Sequence, residues 1–224
     1  MSAERLRAGE PVSEARRRAR PAASVEYGVR LADAHDTLGD PRALLPPSWR
    51  GLLPEGPTAA IYFGTEFCED RLPDVDEAEA YCSRAREEGL AATLLTPLVS
   101  PDGLARIGTL LQALAQRGWA PAVVFNDWGV LDLVRKRHPG WRLRAGRLVN
   151  RSLRDPRAYR DAPHGPATHD ASRYARVRGL LRALGVDAVE SDADLEGGFL
   201  GDGPDAGDAG LDRALHLPFT YAAS

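Results

Sequence analysis

From Ala59 onward, short β-prone apolar runs alternate with longer segments whose apolar positions recur at helical spacing. The strand candidates are 59–64, 91–96, 121–126, 143–149, 186–191 and 214–219, and the helix candidates are 75–89, 103–117, 128–137, 171–184 and 207–213. Most units repeat at roughly 30 residues, the length of a βαβ unit, so the pattern predicts an α/β fold with a parallel sheet. Six βα units fall short of the eight that close a TIM barrel, so the expected architecture is a TIM-like (βα) barrel, incomplete, over residues 59–224. A further strand near Val25 to Val29 would add to it. An open barrel leaves an unpaired strand edge, which another element or another chain would cover.

Two segments precede the repeat. Residues 1–23 hold Arg16-Arg17-Arg18 and Arg20 among alanines and glutamates, with Pro11 and Pro21 interrupting any helix, and read as a mobile tail. Residues 24–58 form a Pro-rich lead-in, with Pro41, Pro46-Pro47, Pro54 and Pro57.

In a parallel sheet the residues just past each strand's carboxyl end share one rim, where ligands sit. Here those residues are Glu66 and Cys68, Thr96-Pro97, Asn126-Asp127, Asn150-Arg151, Glu190 with Asp192, and His216 with Tyr221. The acids Glu66, Asp127 and Glu190 are the candidates for catalytic work, and Asn126, Asn150, Arg151 and Tyr221 for ligand binding. Structural readings stand beside these. Asp127 suits the N-cap of a helix starting at Trp128, because its carboxylate can accept the free N–H groups of the first turn. Asn150 suits a turn. Glu190, at the end of a short strand, needs a cation or donor if buried, and Arg147 or Arg151 is in position to supply it. Cys68 lies among Glu66, Glu69 and Asp70, a setting that disfavours a thiolate unless a metal reverses it. Cys82, on the first helix, reads as packing. His164 and His169 are too loosely spaced to make a zinc site.

Composition narrows the partners. The chain has 224 residues, 43% of them hydrophobic and 27% charged, and a net charge of -3. With a pI near 6.0, that charge argues against nucleic acid or an anionic membrane and in favour of a small-molecule substrate. Of 29 basic residues only Lys136 is lysine, a compositional bias rather than a sign of phosphate recognition. No apolar run reaches the ~20 residues of a membrane span and no signal-peptide core opens the chain, so a cytoplasmic location is expected. Two cysteines exclude a disulfide scaffold. No P-loop, GxGxxG after a strand, GxSxG or HExxH is present, so the phosphate, dinucleotide, serine-hydrolase and zincin classes lack their motifs.

Four stretches together resemble the collagenase-like peptidase family U-32, and within it the UbiV-type branch: Ile61-Tyr62-Phe63-Gly64-Thr65-Glu66-Phe67-Cys68 with Arg71, Asn126-Asp127-Trp128-Gly129, Gly146-Arg147-Leu148-Val149-Asn150-Arg151, and Asp155-Pro156-Arg157. The resemblance covers roughly residues 59 to 222. It implies a TIM-like barrel, a role in oxygen-independent hydroxylation in ubiquinone biosynthesis, a [4Fe-4S] cluster held by four cysteines, and a heterodimer with a related barrel subunit. Cys68 matches the first cluster cysteine. The family's other three lie toward the carboxyl terminus, and this sequence has no cysteine after Cys82. A truncated chain, a cluster-free relative or a partner that supplies ligands would each account for that. Proteolysis, the activity in the family's title, finds no nucleophile, base and orienting group that the sequence places together. A degenerate barrel that binds a small molecule, a partner subunit or a second copy of itself is the alternative.

Overall fold

The computed structural model describes residues 25–45, 47–51, 55–150, 175–192 and 211–216. Seven strands form one sheet in the order in which they occur along the chain: β1 (Tyr27–Arg30), β2 (Thr58–Gly64), β3 (Ala91–Leu95), β4 (Ala122–Phe125), β5 (Leu143–Ala145), β6 (Ala188–Asp192) and β7 (Asp212–His216). Every neighbouring pair is parallel. Helices α1 (Val75–Glu87), α2 (Pro101–Gln116), α3 (Trp128–Arg137) and α4 (Ala175–Ala183) occupy connections between strands. The result is an α/β fold whose parallel sheet curls into a half-barrel. The lead-in contributes β1, so the sheet has seven strands rather than six.

The helices start where local chemistry satisfies their free N–H groups. Asp74 accepts from Glu77 N at 2.8 Å, Ser100 Oγ from Gly103 N at 3.1 Å with Pro101 just inside, and Asp127 Oδ1 from Gly129 N at 2.6 Å. On α1 the buried positions Ala78, Tyr81, Cys82 and Ala85 fall three to four apart, one stripe against the sheet. That stripe meets Ile61, Phe63, Leu94, Val123, Phe125, Leu143, Ala145 and Val189 in a single core, with Phe63 stacked on Tyr81 at 4.9 Å. Burying one such side chain contributes on the order of 1.5–3 kcal/mol.

Strand residues alternate between faces, so the neighbours of these core residues point the other way. Leu95, Val124 and Ala188 are as buried as the core but lie outside that cluster, on the inner face. Tyr62, Arg144, Glu190 and His216 share this face. The ring of Tyr62 on β2 stands edge-on to that of His216 on β7, centroids 6.5 Å apart. Strands five places apart in the sheet meet in this way only because the sheet curls.

Two expected elements differ. The strand expected over 143–149 ends at Ala145. Gly146 N still donates to Phe125 O at 2.8 Å, but Val149 N and Asn150 N then both return to Gly146 O, at 3.1 and 2.9 Å, turning the chain off the sheet. The helix expected over 207–213 is overturned at its end, because Asp212 and Arg213 open β7 and pair with Ala188 and Val189. The ladder to β6 satisfies their backbone groups, and Asp212 N adds a bond to Asp187 O at 2.9 Å. The tail at 1–23, Arg151, Asp155-Pro156-Arg157, His164, His169 and Tyr221 lie outside the described residues.

Candidate functional site

The carboxyl ends of β2 to β6 place most of the expected rim residues together. β2 ends at Gly64, whose φ of +89° suits glycine, and whose added Cβ would fall 2.5 Å from Leu95 O. That tight turn brings Glu66 under the rim, where it is 1% exposed. Its partner comes from beyond β5. Arg147 Nε donates to Glu66 Oε1 at 3.2 Å and Arg147 Nη2 to Oε2, a two-pronged and buried ion pair. The Arg147 guanidinium also lies 5.5 Å from the ring centre of Phe67, which is half exposed.

Asn126, at the end of β4, links two loops. Its Nδ2 donates to Thr96 O at 2.9 Å and its Oδ1 accepts from Leu148 N at 2.9 Å. Gly146 makes room for this amide, since a Cβ there would fall 2.2 Å from Oδ1. Asn150 sits in the turn after β5, and its Nδ2 donates to Glu190 O at 3.0 Å and to Ser191 Oγ at 2.9 Å. The turn reading of Asn150 thus holds, and its side chain ties that turn to β6. Asp127 divides its carboxylate between the α3 cap and Val99 N at 3.4 Å. Glu69 stitches the first two loops together, accepting from Ser100 N at 2.7 Å and Ser100 Oγ at 2.9 Å. Those bonds hold its carboxyl below the ordinary range.

Glu190 lies deeper, on the inner face of β6, fully buried. Its partner is not Arg147, which pairs with Glu66, and Arg151 lies outside the described residues. Oε1 accepts from Arg144 Nε at 2.5 Å and Oε2 meets His216 Nε2 at 2.7 Å, with the Tyr62 hydroxyl donating to Oε1 at 3.4 Å. This corrects the expectation, and the alternation of the strand explains it. Arg144 stands between buried Leu143 and Ala145 and so points inward beside Glu190, whereas Arg147 lies past the end of β5 and reaches Glu66. Burial alone would raise the Glu190 carboxyl pKa, but the His216 hydrogen bond and the Arg144 charge outweigh it and hold it below the ordinary range. The Tyr62 phenol is pushed well above its ordinary range by burial, with the Glu190 charge adding to it.

Arg144, Tyr62 and the pairing of His216 were not singled out from sequence. The available signal was an arginine between two apolar residues in a strand with helices on its outer side, a position that demands a buried counter-charge.

Cys68 is half-buried at the end of the β2 loop, and Cys82 is buried among the apolar residues of α1. Burial pushes the Cys82 thiol up to about 12. Among the described residues, no group of three or more His, Cys, Asp or Glu stands where it would hold a metal ion. A [4Fe-4S] cluster needs about four thiolates. With one thiol on the rim and the other buried in the core, the cysteines of this sequence do not fit such a cluster by themselves.

Fold and site together define a parallel α/β protein with buried ion pairs at and below the carboxyl-end rim of a curled sheet. No protein-family model matches the chain, and no curated protein matches it. No helix among the described residues is long and apolar enough to cross a membrane.

Proposed function

We propose that the chain is an incomplete TIM-like barrel of the peptidase U-32, UbiV-type kind, which holds a small molecule at its carboxyl-end rim as an accessory component of oxygen-independent hydroxylation in ubiquinone or related biosynthesis. One observation carries the reading: polar residues from three of the resembling stretches interlock, Arg147 with Glu66, Asn126 with Leu148 N, and Asn150 with the backbone of Glu190. Positions at a sheet's carboxyl edge that brace one another suit a preorganised ligand site. Phe67 and Leu98, exposed on the loops after β2 and β3, and Trp128, exposed at the start of α3, would give such a ligand apolar contact. A cytoplasmic location and a protein partner belong to the same proposal. Among the described residues β1 and β7 are the end strands of the sheet, and a related barrel subunit or a second copy would dock at such an end. Any cluster on Cys68 would need ligands from such a partner or from further chain, and no chemistry is routed through one here.

The test is genetic and chemical. Deletion of the gene is expected to lower quinone content in cells grown without oxygen and to spare it in air, with rescue by the intact chain. Unchanged quinone without oxygen would reject the pathway. Light scattering tests the partner, and a monodisperse monomer of the full chain would count against a second copy.

A second reading, a degenerate barrel that binds a small molecule or a partner subunit and performs no catalysis, is favoured by the state of the acids. Glu66 and Glu190 are held in ion pairs and Asp127 caps α3, so none of the three proposed catalytic carboxylates is unengaged. The same engagement of Glu66 weighs against proteolysis. Full rescue by folded Glu66→Leu/Arg147→Met would favour the non-catalytic reading.

A further inference from the structure

The inner face carries a second polar group, one layer below the rim. Glu190 is its centre, with Arg144 from β5 on one side and His216 from β7 on the other. Arg144 already balances the charge of the carboxylate. An ionised carboxylate only accepts hydrogen bonds, so the hydrogen in the 2.7 Å contact belongs to His216 Nε2. A ring fixed in that tautomer presents Nδ1 as a lone-pair acceptor. The edge-on contact with Tyr62 fixes the plane of the ring.

Two groups of this cluster have capacity to spare. The His216 side chain is 22% exposed, and among the described residues no donor meets its Nδ1. Arg144 uses only Nε on Glu190, which leaves its two terminal nitrogens without a hydrogen-bond partner among the described residues. Among the described residues the buried side-chain nitrogens and oxygens without a partner are Arg84 Nε and His138 Nε2, so neither His216 Nδ1 nor the Arg144 terminus is sealed in the interior. An imidazole, whose Nδ1 accepts when the ring is neutral, and a fork of cationic donors therefore flank one carboxylate on the concave side of the sheet.

We propose that this cluster is a binding site for a small hydroxy acid, in which the Arg144 guanidinium takes the ligand's anionic oxygen and His216 Nδ1 accepts the hydrogen bond of its hydroxyl. Glu190 is the positioning residue that sets the tautomer, and Tyr62 holds the ring. The proposal rests on reading the concave side as a ligand site, and it adds the chemical class of the ligand and the residues that select it.

The experiment is a nitrogen-15 NMR titration of histidine-labelled full-length protein with glycolate, and with acetate as the partner lacking the hydroxyl. Wild-type His216 is expected to show the Nε2–H tautomer at neutral pH, and glycolate to shift its Nδ1 resonance saturably. One added hydrogen bond predicts roughly two- to tenfold tighter binding of glycolate than of acetate. His216→Gln should remove that preference while both anions still bind, and Arg144→Gln should weaken both. If Arg144→Gln fails to fold, the comparison of wild type with His216→Gln still decides the matter. An Nδ1–H tautomer or a doubly protonated ring in the wild type at neutral pH, no saturable response to glycolate, or equal affinity for the two anions would overturn the proposal. The titration needs no quinone pathway, so its failure and that of the pathway test are separate results.

Discussion

Replacing Arg147 by methionine leaves Glu66, 1% exposed, as a buried carboxylate stripped of its two-pronged partner. Removing one member of a buried pair costs about 3–5 kcal/mol, because the remaining charge keeps its desolvation penalty and loses the attraction that offset it. The contact of Arg147 with the Phe67 ring adds about 0.5–1 kcal/mol. For a protein of this size each kcal/mol lowers Tm by about 2–4 °C, so Arg147→Met should melt about 7–24 °C below wild type. Glu66→Leu/Arg147→Met removes both charges and fills the space with apolar groups. Such replacements are often neutral or stabilising, so the double variant should recover most of the loss. Urea unfolding followed by circular dichroism on wild type, both single variants and the double variant closes the cycle. The expected coupling between the two sites is at least about 2 kcal/mol, with similar m-values throughout. A cost below about 1 kcal/mol for Arg147→Met, or a double variant as unstable as the sum of the singles, would show that the pair is not the buried, mutually dependent unit described.

Three further outcomes follow from single contacts. Gly146→Ala drives a Cβ into the Asn126 amide and so breaks its bridge between Thr96 O and Leu148 N, costing about 1–3 kcal/mol in the same unfolding assay. Burial, with the neighbouring Arg137 charge adding to it, lowers the pKa of His138, whose folded value then lies below the unfolded one. Its contribution is therefore complete above the unfolded value of about 6.5 and lost as pH falls through the folded one, a dependence that His138→Phe should flatten in melts between pH 7.5 and 5. Half-buried Cys68 should react with a thiol reagent in the native protein while Cys82, buried with its pKa near 12, reacts only after denaturation, so a native thiol count of two would contradict the packing of α1.

Much of the fold was legible because its boundaries are marked by residues with one physical job. Gly64 ends β2 where a side chain would strike Leu95 O, and Asp127 starts α3 by capping it, so those edges were readable locally. Where the deciding contact is distant, the reading failed. Nothing near Gly146 announces that β5 stops at Ala145, because the side chain that holds the turn from outside, accepting from Leu148 N and lying against Gly146, is Asn126, some twenty positions earlier. The first two residues of β7 were assigned to a helix because the ladder that makes them strand is supplied by β6.

The site divides along the same line. Glu66, Asn126, Asn150 and Glu190 were readable as polar residues at strand ends, but their partners were not, since pairing depends on which face of a curled sheet each side chain occupies. Arg147 follows the end of β5 and stays at the rim with Glu66, while Arg144, three residues earlier, points inward to Glu190. Two arginines on one short segment thus serve two layers of the same concave face. At the rim the Glu66 carboxylate is held by both prongs of Arg147, and that pair is suited to bracing loops. The inner layer leaves an imidazole nitrogen and two guanidinium nitrogens without partners among the described residues. A ligand seated at the rim against Phe67 and Trp128 and reaching down this face would therefore meet, among the described residues, these donors and this acceptor in the inner layer.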